Sequence, residues 1–224
     1  MKYGDCAISN GMNPEYLDLI NNLISEGYLK TPSIIEAFKA IDRADFVTDE
    51  YKESAYVNAP ISIGFGQTIS QPLTVAFMIE LLSPKEGQKI LEIGVGSGWQ
   101  TAILSFIVSQ NNTGGKIIGI ERIPELKEMG EKNVGKYGYI ENQTAQIFLA
   151  DGSRGFKKEE PFDKIIAGAA SKDDVPQAWK KQLKIGGKIV APVDQSVVVI
   201  EKTEKDAFIK KEYFGFSFVP LISG

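Results

Sequence analysis

The chain has 224 residues, with 25 basic and 29 acidic side chains, a net charge of −4, one cysteine and no histidine. It is long enough to bury a full hydrophobic core without disulfides or metals, and one large domain suits its length. The missing histidines exclude a Ser-His-Asp or Cys-His nucleophile and any His-ligated metal site, and a single cysteine excludes an internal disulfide.

The lysines are interspersed with acids, which argues against the clustered basic face that nucleic-acid binding requires. No stretch approaches the ~20 apolar residues that cross a bilayer. Residues 1–16 lack the apolar core of a signal peptide. The expectation is a cytoplasmic protein with no metal, nucleic-acid or membrane partner. Cys6 reads as an inert thiol near the terminus.

A first helix is predicted after Asn13 and Pro14, where Leu17, Ile20, Leu23 and Ile24 recur at helical spacing. A second follows Thr31 as N-cap and Pro32 at the first helical position, with Ile34, Ile35, Phe38 and Ile41 on one side. Residues 45–72 are irregular, rich in aromatic and turn residues, and too long for an ordinary connector; such loops are often functional. Val75, Met78, Ile79 and Leu82 then mark a helix. From there the pattern alternates. Strands are predicted at 89–95, 116–122, 146–151, 162–170 and 186–193, and helices at 100–109 and 124–137, with Trp179 and Leu183 on a short helix. Residues 196–203 and 208–219 read as a closing hairpin turning near Asp206. Near-continuous apolar strands alternating with helices imply an α/β fold: a doubly wound, mostly parallel, Rossmann-like sheet. The division is a single domain, with N-terminal helices and an active-site loop over 1–71, a cofactor-binding core over 72–195 and the C-terminal hairpin over 196–224.

The first strand of the core runs into Glu92, Gly94, Gly96, Ser97 and Gly98. Alternate glycines permit a tight turn and close approach to a ligand at the carboxyl end of a strand. The spacing fails the dinucleotide fingerprint, because Trp99 stands where its third glycine is required. The acid before the glycines suits a cationic cofactor. Glu121 at the end of the second strand and Asp151, followed by Gly152, at the end of the third would add charge and acceptors. Each feature has a plainer reading: a tight βα turn, a Glu121–Arg122 surface pair, an Asp-Gly turn. Three acids in consecutive strand order favour the joint reading. Ser70, taken alone, would more often cap the helix that follows.

The Glu92–Gly98 segment resembles motif I of class I S-adenosylmethionine-dependent methyltransferases. Ala55, Tyr56, Pro60, Ile61 and residues 64–72 resemble the region before motif I in protein-L-isoaspartate O-methyltransferases. So do Arg43, Phe46 and Val47 upstream, residues 121–126, Asp151 with Gly152, and Leu183, Gly186, Gly187, Pro192 and Val193 downstream. Residues 218–221 resemble the family's C-terminal signature, so the match covers roughly 34–221. The resemblance implies methyl transfer from S-adenosyl-L-methionine to the free carboxylate of L-isoaspartyl residues in damaged proteins and peptides. Ser70 corresponds to the family's active-site serine. Thr68, Ile69, Ser70, Glu92, Gly94, Gly96, Ser97, Gly98, Glu121, Arg122, Asp151 and Gly152 are the expected cofactor-binding residues. Ile61, Ile63, Ser70, Val219 and Pro220 are expected at the substrate, and the enzyme is expected to be a monomer. Two positions depart from the family pattern: Leu73 stands where histidine or tyrosine is usual, and Ser217 where arginine is usual. They leave open a related carboxyl methyltransferase with another acceptor. A cofactor-binding regulatory module is the alternative outside enzymes; Ser70 together with the three acids argues against it.

Overall fold

The computed structural model describes residues 11–223, and Cys6 lies outside them. Helix α1 (Pro14–Ser25) starts at Asn13, whose side chain accepts a hydrogen bond from the Glu15 amide, and it buries Tyr16, Leu19, Ile20 and Leu23. Helix α2 (Pro32–Ala40) starts after Thr31, as its sequence predicts, but the threonine does not cap it. Its hydroxyl donates to Glu80 Oε2 at 2.7 Å, and Glu80 Oε1 accepts from the Lys30 and Thr31 amides. A carboxylate from another helix thus serves this end.

The stretch read as irregular contains structure. Two 3₁₀ turns, Arg43–Phe46 and Asp49–Ser54, lead into an antiparallel hairpin of β1 (Ile61–Gly64) and β2 (Gln67–Ile69). Its signal was the alternation of Ile61 and Ile63, both buried, before a Gly-Phe-Gly turn. Helix α3 (Pro72–Leu82) follows with Gln71, not Ser70, at its N-cap. Asn58 Oδ1 accepts from the Leu73 amide at 3.0 Å and does the work of a cap from outside the helix.

The core then alternates: β3 (Lys89–Ile93), α4 (Trp99–Val108), β4 (Lys116–Glu121), α5 (Pro124–Gly135), β5 (Ala145–Leu149), β6 (Phe162–Ala167), α6 (Gln177–Gln182) and β7 (Leu183–Val193). Antiparallel β8 (Ser196–Glu204) and β9 (Ala207–Phe214) close the sheet. The sheet order is β5-β4-β3-β6-β7-β8-β9, with the first five strands parallel. Alternate strand residues build two apolar layers. Ile90, Ile117 and Val190 pack with α1 to α5, while Leu91, Ile118 and Ile189 pack around Trp179.

Several boundaries differ from the sequence reading; β3 and β6 end at Ile93 and Ala167, short of the expected 95 and 170. Leu183 begins β7 rather than lying on α6. Asp151 lies two residues past β5, where its side chain accepts from the Ser153 amide and caps a short turn. The last strand stops at Phe214. Gly215 takes a left-handed backbone (φ 98°), and the Gly215 and Phe216 amides both donate to Gln195 O, which ends the ladder. The chain beyond turns back across the sheet: Ala170 donates to Val219 O and Leu221 donates to Ala170 O, each at 2.8 Å.

Candidate active site

β3 and β6 are neighbours whose connections leave in opposite directions across the sheet, the switch at which open α/β sheets bind ligands. The turn after β3 is stitched to both flanking strands. The Gly94 amide donates to Ile120 O and the Gly168 amide to Ile93 O, each at 2.8 Å. Gly98 cannot be replaced without movement: its φ is 92°, and a Cβ there would lie 2.7 Å from Val134 Cγ2. Gly94 also has positive φ, but a Cβ there would meet nothing within 4 Å, so its open side faces free space.

That space is a cavity. The predicted residues Thr68, Ile69, Ser70, Glu92, Gly94, Gly96, Ser97, Glu121, Arg122, Gly152, Val219 and Pro220 line it together. Gly98 and Asp151 stand beside it without lining it, and Ile61 and Ile63 are buried in the apolar core and do not line it. The sequence reading missed Gln100, Ile123, Leu126, Gly168, Leu221 and Ile222. Leu221 sits within the C-terminal signature, Ile123 and Leu126 within the 121–126 motif and Gly168 near the end of a predicted strand, so all four carried a signal; Gln100 carried only helix periodicity.

Two carboxylates set the electrostatics. Glu92 is fully buried, accepting from Thr101 Oγ1 at 2.6 Å and from Gln100 Nε2 at 3.0 Å. Burial raises its pKa to about 7, against the pull of those two donors. Glu121 accepts from the Arg122 and Ile123 amides on one oxygen and from the Gly96 amide, at 3.0 Å, on the other. The Gly96 amide is therefore turned toward a carboxylate. In a dinucleotide site, the amides of this turn face a pyrophosphate. With Arg122 the only basic side chain among the lining residues, the cavity fits a cationic ligand with hydroxyl and amine donors.

A second cleft opens beside the first and shares Thr68, Ser70, Gly168 and Val219 with it. Its other walls are Pro60, Gln71, Leu73, Thr74 and residues 215–218, so none of its lining side chains is ionisable. The aromatic wall is held from behind: Phe77 stacks on Phe216 at 5.1 Å and meets Tyr213 edge-on at 5.4 Å. Among the described residues, no cluster of His, Cys, Asp and Glu is arranged to hold a metal ion, and no helix is long and apolar enough to cross a membrane.

The sequence matches the family model described as protein-L-isoaspartate(D-aspartate) O-methyltransferase over residues 15–224. It is 39% identical to the protein-L-isoaspartate O-methyltransferase of Methanopyrus kandleri over 208 residues, 91% of this chain and 89% of that one. It is 41% identical to the enzyme of the same name from Ignicoccus hospitalis over 216 residues, 94% and 99% of the two chains. A Plasmodium falciparum protein described as a protein-L-isoaspartate O-methyltransferase, solved with S-adenosyl-L-homocysteine, superposes with a TM-score of 0.82 at 22% identity, over 94% of this chain and 99% of that one. A glycine turn closed by carboxylates, a neutral cleft meeting it at Ser70, and a family match over nearly the whole chain lead to one conclusion: this chain belongs to the protein-L-isoaspartate(D-aspartate) O-methyltransferase family.

Proposed function

We propose that the protein transfers a methyl group from S-adenosyl-L-methionine to the free carboxylate of L-isoaspartyl residues in damaged proteins and peptides. The ester then closes spontaneously to a succinimide, which can reopen to a normal aspartyl bond. The observation that carries this reading is the meeting of an acid-walled cavity and a neutral cleft at Ser70.

When bound, the cofactor supplies an electrophilic methyl group on a cationic sulfur. Glu92 and Glu121 would hold it, by charge and as acceptors for its donors, with Gly94, Gly96, Ser97 and Gly152 shaping the wall. The acceptor carboxylate is ionised near pH 7, since ordinary carboxyl groups titrate around 4. It needs no general base, which accords with a chain lacking histidine. The remaining task is alignment. The Ser70 hydroxyl, at the junction of the two spaces, donates to the carboxylate and fixes which oxygen faces the methyl. Residues 72–195 serve the cofactor. The N-terminal segment and the tail serve the acceptor, with Val219 and Pro220 lining the cofactor cavity as well. The enzyme is read as a monomer, and a chain with a single cysteine suits the reducing cytoplasm.

Paired peptides, identical except for an isoaspartyl or an aspartyl residue, test the reading. Methyl should pass to the first and not to the second. Leu73 and Ser217 both line the neutral cleft and favour a second reading, a carboxyl methyltransferase for a different acceptor. Cofactor binding with equal inactivity on both peptides would select it.

A further inference from the structure

The neutral cleft poses a physical problem. Its proposed acceptor is an anion, yet no lining side chain is charged. A full positive charge lies behind its wall. Arg43 is fully buried, and its guanidinium spans the segment that borders the cleft. Nη1 donates to Ala55 O at 2.6 Å and Val57 O at 3.1 Å; Nη2 donates to Ala59 O at 3.0 Å and Ser70 O at 3.2 Å. Its Cζ lies 5.4 Å from the ring centre of Trp99, which lines the cofactor cavity. Among the described residues no carboxylate lies within ion-pair distance of it, and Nε has no hydrogen-bond partner. Burial lowers its pKa only to about 10, so the charge persists at neutral pH.

A buried ion without a counter-ion, with one donor unsatisfied, is costly, and its four carbonyl bonds leave the net charge itself unneutralised. We propose that Arg43 is a positioning residue of the acceptor site: its fork fixes Ser70 and the 55–59 segment, and its uncompensated charge holds an acceptor carboxylate in the neutral cleft. The proposal rests on the carboxylate acceptor argued above. Forming the ester neutralises the acceptor, so the charge favours the bound ground state over the product. Its removal should raise the acceptor KM more than it lowers kcat.

The test compares an isoaspartyl peptide with its neutral isoasparaginyl amide, each titrated into enzyme saturated with S-adenosyl-L-homocysteine. The native enzyme should prefer the carboxylate by about tenfold or more. Arg43→Gln should lose most of that preference while binding S-adenosyl-L-homocysteine within about threefold of native; Arg43→Lys, which keeps the charge, should retain the preference with a raised acceptor KM. The native preference should also persist in about 0.5 M salt, because buried charges are poorly screened. Equal weakening of both peptides in Arg43→Gln, with the ratio intact, would overturn the proposal. So would a ratio lost in Arg43→Lys, a native ratio that salt abolishes, or no native preference at all. If Arg43→Gln does not fold, the lysine variant and the salt series decide. Native turnover of the isoaspartyl peptide is a separate measurement and tests the acceptor reading by itself.

Discussion

Glu92 is ionised only at the cost of its burial, and this gives a pH signature with a definite sign. Its carboxyl has an ordinary value of 4.5 in the unfolded chain and about 7 in the fold. The native state therefore holds this proton over a range where the unfolded state has lost it. The stability it contributes is complete below pH 4.5 and is lost as pH rises to 7, by about 3 kcal/mol at most. Glu92→Gln should flatten that slope in denaturant titrations across this window. A cationic ligand favours the ionised form, so cofactor affinity should rise as pH passes 7 in the native protein and stay level in Glu92→Gln, as calorimetry in buffers of different ionisation heat can show. Ser70 lines both spaces at their junction. Ser70→Ala should reduce kcat by roughly 10²-fold or more, the scale of a lost oriented donor, with cofactor affinity little changed. If cofactor binding collapses and turnover of the bound complex survives, the role given to Ser70 is wrong. Glu92 was legible as an acid before a glycine turn. That Thr101 and Gln100 hold it was not, because partners eight and nine residues away meet only once the turn brings α4 over β3.

At the scale of elements, helix α6 has six residues yet positions one edge of the cofactor cavity. Trp179 Nε1 donates to Gly152 O at 2.8 Å. Gln182 accepts from the Phe156 amide at 2.7 Å and donates to Arg154 O at 3.0 Å, clamping the turn that follows β5. Trp179→Phe keeps an aromatic ring and loses the donor. It should cost about 1–3 kcal/mol, read by urea titration, and weaken cofactor binding in parallel. The parallel strands were legible because each is a continuous apolar run, a pattern that burial on both faces demands. The β1–β2 hairpin was not, because three- and four-residue strands give too few alternations to stand out from turn chemistry. The final strand was drawn too long because Phe216, Phe218 and Val219 continue a strand-like pattern. Their apolar character serves the cleft and the aromatic stack on Phe77 instead.

Across the whole molecule, the cofactor cavity draws on the β1–β2 hairpin, α3, α4, α5, the ends of β3 and β4, and the returning tail. A ligand there ties distant parts of the chain together, and its binding energy adds to the stability of all of them. S-adenosyl-L-methionine at about a hundredfold excess over its Kd should raise Tm by about 5–10 °C, and NAD should not, as scanning calorimetry can measure. The tail gives this dependence a direction in time. Val219 lies in the wall of both cavities and Leu221 in that of the first, yet both are made after every strand of the sheet. On the ribosome, a chain whose parallel strands have already paired has the floor of each cavity and lacks part of its wall. Ligand retention in the nascent protein should therefore wait on residues 219–222, which complete the wall.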